Sequence, residues 1–214
     1  MLYIFFMKIY LASSNEHKRK EMQEIFSEHQ IVLPKDENIS FNPEENGSTF
    51  IENSLIKAEA LWNIVKQPVL ADDSGICLAA LNGFPGIYSA RYCGKGKNVT
   101  KDADKLSAQE RNELLINELN ATKSQDRSCS FVCSLVYYYG KNQFYAVQET
   151  LEGSLVESVE DLKGKGGFGY DPAVYLKEYN KTVAELTENE KNAISHRGKA
   201  CKKMSDFLKN KASV

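Results

Sequence analysis

Apolar and polar positions along the chain change period several times, and each change marks an element. Residues 8–12 form a short apolar run that predicts a strand. It enters the polar turn Ser13-Ser14-Asn15, after which Met22, Ile25 and Phe26 predict a helix over about residues 16–28. Residues 31–33 predict a second strand, and residues 36–48, broken by Pro43 and Gly47, predict a polar loop. Ile51, Leu55, Ala58, Trp62 and Val65 then recur at helical spacing behind Thr49 and Glu52, which form a capping box. Residues 69–71 predict a short buried strand ending in Asp72-Asp73-Ser74-Gly75, followed by a short helix over 76–81 and a turn at 83–86. Residues 95–104 read as a polar, mobile connection.

The second half repeats this vocabulary with longer strands. Ser107 and Glu110 form a second capping box that opens a helix to about residue 119. Residues 128–139 alternate, with Cys129, Phe131, Cys133 and Leu135 on one face. Gly140-Lys141-Asn142 predicts a hairpin turn, residues 144–151 a returning strand, and residues 154–158 a further strand. Residues 164–171 hold four glycines and predict irregular backbone, with a short strand at 173–176. Thr182 and Glu185 form a third capping box, and a last helix is predicted over about residues 195–208. Helices and strands are interleaved throughout. The predicted class is therefore α/β with a mixed central sheet and flanking helices. A chain of 214 residues suits a single domain spanning 1–214, or two lobes sharing a sheet.

Composition narrows the function classes. The formal net charge is −2 and no long basic run occurs, so bulk attraction to nucleic acid is not indicated. A polyanionic ligand would have to be met by locally placed cations or a metal. The five cysteines are odd in number and contain no CxxC pair, which reads as thiols in a reducing cytoplasm. No apolar run has the length of a membrane-spanning helix. Residues 1–7 are apolar but have no basic region before them, so a longer first strand, or a start at Met7, is preferred to a signal peptide.

Six places along the chain have residues suited to chemistry. Ser13, Ser14, Asn15, Glu16, His17 and Lys18 lead a strand into a helix N-terminus, whose backbone amides and dipole suit phosphate; simple capping is the plainer reading. Asp72 and Asp73 are adjacent acids at a predicted strand end, where repulsion is relieved by a cation. Glu44 and Glu45 are a second acidic pair, in a loop, and Lys57 is read on the polar side of the second helix. The glycine-rich run holds Phe168, Gly169, Tyr170 and Asp171, offering amides and rings to a base, against the alternative of a plain connector. Lys191, His196 and Arg197 gather basic groups near a predicted helix start, where the dipole disfavours them unless they face an anion.

Taken together, LASSNEHKRKEM, STFIENSLIKAEA, LADDSGICLAALNGFPGIYSARY, GKGGFGYDPAVY and AELTENEKNAISHRGKA resemble the Ham1 (inosine triphosphate pyrophosphatase-like) family, in the family's order and over nearly the whole chain. Ser13 stands where many members have Thr, and Asn82 where Gly is frequent. The resemblance implies a two-lobed α/β fold with a long central sheet, a cleft between the lobes, and a homodimer. It implies Mg²⁺-dependent hydrolysis of deaminated purine nucleoside triphosphates (ITP, dITP, XTP) to monophosphate and pyrophosphate. By matched motif it implies that residues 13–18 cradle the triphosphate. Asp73 becomes the proton acceptor and a Mg²⁺ contact, and Glu45 a second metal ligand. Lys57 and Lys191 become contacts to phosphate or sugar, and Ser74, Phe168, Gly169, Tyr170, Asp171, His196 and Arg197 contacts to the nucleotide. The alternatives are a related pyrophosphatase for other modified or pyrimidine triphosphates, and a nucleotide-binding module without turnover.

Overall fold

A computed structural model describes residues 6–94 and 106–211. The expectations for residues 1–5 and for the connection at 95–104 lie outside these. Seven strands form one mixed sheet: β1 (Lys8–Leu11), β2 (Gln30–Val32), β3 (Val69–Leu78), β4 (Ser128–Gly140), β5 (Gln143–Leu155), β6 (Val174–Leu176) and β7 (Lys181–Thr182). Their order across the sheet is β2-β1-β3-β4-β5-β6-β7. β1 is parallel to β2 and to β3, whereas β5, β6 and β7 pair antiparallel. Five α-helices flank it: α1 (Glu16–Ile25), α2 (Phe50–Val65), α3 (Ala108–Ala121), α4 (Glu188–Ile194) and α5 (His196–Lys211). Among the described residues no helix is long and apolar enough to cross a membrane.

The chain divides into two compact units, and the division falls inside β3, β4 and β5. The first comprises residues 1–73, 133–149 and 196–214. Its parallel strands β1, β2 and the start of β3 are buried on both faces apart from the first residues of β1 and β2, as expected where helices cover a parallel sheet. In β1, Ile9 and Leu11 join a core with Met22 and Phe26 of the α1 region and Met204 and Leu208 of α5. Tyr10, and Ala12 just beyond β1, join the opposite core with Ala58 and Leu61 of α2. The two-residue side-chain period thus sorts one short run into two cores. The second unit comprises residues 74–132 and 150–195. Its core joins Ile76 and Leu78 of β3 to Leu115, Ile116 and Leu119 of α3 and to Val174 and Leu176 of β6.

Several sequence expectations are corrected. The strand read at 69–71 continues through the acidic motif to Leu78, so Asp72 and Asp73 lie inside β3 rather than at its end. The helix expected at 76–81 is replaced by that strand and a single 3₁₀ turn, Ala79–Leu81, because Ile76 and Leu78, two apart, both face the core. Residues 154–158 do not form a separate strand; β5 runs unbroken to Leu155. Helix α1 stops at Ile25, with Phe26 outside helical geometry. An unpredicted short helix, α4, is capped by Thr187, whose hydroxyl accepts from the Glu190 amide.

Candidate active site

The acidic pair is resolved by the pleat of β3. Successive side chains on a strand point to opposite faces, so the two neighbouring carboxylates enter different surroundings. Asp72 shares the face of Leu70, toward α1 and α5. There its Oδ2 is 3.0 Å from Nε of Arg197, and its Oδ1 pairs with Nζ of Lys18. The Cys133 thiol donates to Oδ2 at 3.0 Å. Arg197, 1% exposed, also pairs with Glu21 of α1. Burial by itself would raise the Asp72 pKa. The charges of Arg197 and Lys18, with the hydrogen bonds from Lys18 and Cys133, outweigh it and hold the carboxyl well below the usual aspartate value.

Asp73 faces α2. Its Oδ1 lies 3.2 Å from Nζ of Lys57, and its Oδ2 accepts from Nδ2 of Asn53 at 3.3 Å. Lys57 also reaches Oε1 of Glu45 at 3.4 Å. Burial raises the Asp73 pKa, and the Lys57 and Lys18 charges only partly offset it. The strand therefore carries one carboxylate whose pKa is held down by its cations and one whose pKa stays raised by burial.

Lys57 was read on the polar side of α2, and the structure corrects this: it is buried together with Asn53, Ser54, Ala58 and Leu61. Ile51, expected to face inward, is exposed instead. Of the polar residues on this buried face, Asn53 and Lys57 reach Asp73, and Ser54 donates to Ser134 O of β4 at 2.7 Å. Asn53, missed in the sequence, also holds the acidic loop: its Oδ1 accepts from the Gly47 amide at 2.9 Å while its Nδ2 reaches Asp73. Its spacing of four from Lys57 places both on one helix face, which is the signal that was available. Of the loop's acidic pair, Glu44 is exposed and Glu45 turns toward Lys57.

At the start of α1, Asn15 is the N-cap, and its Oδ1 accepts from the amides of His17 and Lys18 at 2.9 and 3.3 Å. The capping chemistry is therefore present in full. Ser13 accepts from the Asn15 amide at 3.1 Å, Ser14 and Glu16 are exposed, and the Lys18 ammonium is turned toward β3. His196 is buried at the start of α5 beside Arg197.

In the second unit, Ser74 is half-buried on β3 and Gly75 follows it. A Cβ on Gly75 would lie 2.4 Å from both the Gly86 carbonyl oxygen and Oγ of Ser89. Ser89 accepts from the Ile76 amide at 2.9 Å and donates to Gly86 O at 2.6 Å, which ties the PGIYSAR segment to the strand. The glycine-rich segment is ordered around Asp171. Its Oδ2 accepts from the Phe168 amide at 2.7 Å and pairs with Nζ of Lys191 at 3.0 Å. That ammonium also lies 4.9 Å from the centre of the Phe168 ring, a cation–π contact. Lys191 sits in the last turn of α4, where a cation suits the dipole. The sequence reading had placed it at a helix start.

The first unit holds two carboxylates flanked by lysines, and the second a glycine loop carrying an aromatic ring. Residues 9–207 match the Ham1 family, and the chain belongs to it. It is 51% identical over 203 residues to a dITP/XTP pyrophosphatase of Treponema denticola, covering 95% of this chain and 99% of that one. Among solved structures, a HAM1 protein from Coxiella burnetii superposes with a TM-score of 0.83 at 37% identity, covering 96% of this chain and 100% of that one. The Staphylococcus aureus Ham1 protein gives 0.80 at 35% identity, covering 95% and 99%.

Proposed function

We infer that this chain is a dITP/XTP pyrophosphatase, which hydrolyses deaminated purine nucleoside triphosphates to monophosphate and pyrophosphate. The observation that carries this is the 51% identity, over nearly all of both chains, to a relative bearing that name. The chemistry of the Asp73 cluster supports it. Water attacks the α-phosphorus, Asp73 accepts its proton, the bond to the β-bridging oxygen breaks, and pyrophosphate leaves. A carboxylate whose pKa is raised by burial is a stronger base than an exposed aspartate. Lys18 and Lys57 neutralise charge on the phosphates, where catalysis of this class rests on positioning and electrostatics.

Asp73 and Glu45 would hold a Mg²⁺ ion. Their carboxylates already converge on one cation, the Lys57 ammonium, at 3.2 and 3.4 Å. Among the described residues no group of three or more His, Cys, Asp or Glu is placed to hold a metal. The donor set therefore suits a hard cation that takes one or two carboxylates and completes its shell with water and phosphate oxygens. When bound, Mg²⁺ supplies neutralisation of the triphosphate charge.

We assign base recognition to Phe168, Gly169, Tyr170 and Asp171, with Lys191, Ser74, His196 and Arg197 as further nucleotide contacts and residues 13–18 as the phosphate cradle. A site that donates to the 6-keto oxygen of hypoxanthine or xanthine would leave those donors unpaired against the 6-amino group of adenine. The enzyme acts in the cytoplasm as a homodimer, the assembly that the family resemblance implies; sedimentation velocity at micromolar concentration tests the latter, and a monomer would refute it. The function is tested by pyrophosphate release with Mg²⁺ on ITP, XTP, dITP, ATP, GTP, dTTP and UTP. ITP, XTP and dITP are expected to turn over, with kcat/KM for ATP lower by about 10²-fold or more. Equal values for ATP and ITP would overturn the base assignment, and no release from any substrate would overturn the enzymatic reading.

A further inference from the structure

A glycine-rich loop outside any helix or ladder keeps its shape only through the groups that tie it down. In the segment 164–171, Gly164, Gly167 and Gly169 have φ of +85°, +69° and +63°, conformations that side-chain-bearing residues rarely adopt. The Gly166 amide donates to Ala184 O at 3.1 Å, and Asp171 holds the Phe168 amide. The Tyr170 hydroxyl donates to Ser89 O at 2.9 Å. A further tie comes from a residue outside all of the quoted motifs, Asn112 of α3. Its Nδ2 donates to Gly169 O at 2.9 Å and to Ala108 O at 2.9 Å.

Asn112 is 2% exposed, and its Oδ1 is buried with no hydrogen-bond partner among the described residues. The amide cannot be reversed to relieve this, because both atoms facing Nδ2 are carbonyl acceptors. The residue thus carries two costs to stability: an orphaned acceptor and a side chain of low helix propensity inside a helix. Its neighbours on α3, Leu115, Ile116 and Leu119, are core residues, and an aliphatic side chain there would remove both costs. A buried polar group with an unmet atom calls for an explanation outside packing.

We propose that Asn112 is a positioning residue for base discrimination: by holding the Gly169 carbonyl it fixes the loop geometry in which Phe168 meets the nucleobase. This rests on the assignment of base recognition to that loop. Asn112 touches no substrate, and its effect is carried through Gly169.

The test is steady-state kinetics on ITP and ATP, with thermal melting, for Asn112→Leu, Asn112→Ala and a packing control on the same helix, Ile116→Val. Asn112→Leu removes the orphaned acceptor with an apolar group of similar size but also frees Gly169 O, so it is expected to melt higher than Asn112→Ala. Its ITP-to-ATP ratio of kcat/KM is expected to fall by about tenfold, the scale of one hydrogen bond, mainly through a higher KM for ITP. Asn112→Ala should lower the ratio similarly with a lower melting temperature. Ile116→Val should lower the melting temperature and leave the ratio unchanged. A wild-type ratio in both Asn112 variants would overturn the proposal, as would a ratio that follows melting temperature across all three. A wild-type enzyme unable to separate ITP from ATP would overturn the loop assignment itself.

Discussion

Burial alone would raise the pKa of both carboxylates in the Asp72–Asp73 pair; the cations that surround each decide the outcome. Asp73 keeps a raised value. If it is the proton acceptor, kcat/KM for ITP should fall as pH drops through a pKa above the ordinary aspartate value of 3.8. Lys57 lowers that value, so Lys57→Met should move the acid limb to higher pH as well as reduce the rate; a pH profile with an unmoved limb would exclude the coupling. Asp73→Asn should cost about 10²–10⁴-fold in kcat, the usual worth of a general base. The same change should not destabilise the fold. A carboxylate with a raised folded pKa opposes folding above its unfolded pKa, so neutralising it removes a penalty at pH 7. Near-normal turnover in a folded Asp73→Asn protein would rule Asp73 out. In the sequence only the family resemblance singles out Asp73, and no local pattern shows the opposite surroundings of the two acids. Those surroundings appear once β3 is known to continue through them.

At the scale of elements, Asp72 and Arg197 join β3 to α5, and Glu21 and Lys18 bring in α1. The Asp72 and Arg197 side chains are almost wholly buried, and removing one partner leaves the other charge without compensation. Arg197→Ala should therefore cost about 3–5 kcal/mol, measured by urea unfolding; a cost under about 1 kcal/mol would mean that the pair is not holding the elements together. The sign of the pH effect follows from the lowered pKa. The stabilisation is complete above the unfolded value of about 4 and is lost as pH falls through the lower folded value. In Arg197→Ala that loss should begin at higher pH. Helix α2 shows why periodicity misread its face: Asn53 and Lys57 take buried positions that an amphipathic pattern reserves for apolar residues. Capping boxes were the more dependable signal, because they are local. Those at Thr49–Glu52 and Ser107–Glu110 start α2 and α3 where expected.

For the whole molecule, the sheet serves as a scaffold, and the proposed metal is expected to act in catalysis rather than in folding. Two carboxylates that Lys57 already compensates do not depend on an ion for their stability. Chelation with EDTA should abolish pyrophosphate release yet leave the melting temperature of the nucleotide-free protein nearly unchanged. A large drop in melting temperature would make the metal structural instead.

The α/β class, most of the elements, the family, and the segments that hold the motif-assigned site residues could be read from the sequence alone. These are local properties: period, caps, glycine runs and short motifs, each readable within a dozen residues. The tertiary structure alone shows that Arg197 and Lys18 compensate Asp72 while burial leaves Asp73 with a raised pKa. It also turned Lys57 inward, made Asn53 the link between Gly47 and Asp73, and brought Asn112 of α3 to Gly169, 57 positions away. Such relations depend on how strands register and which face a helix buries, and long-range packing sets both.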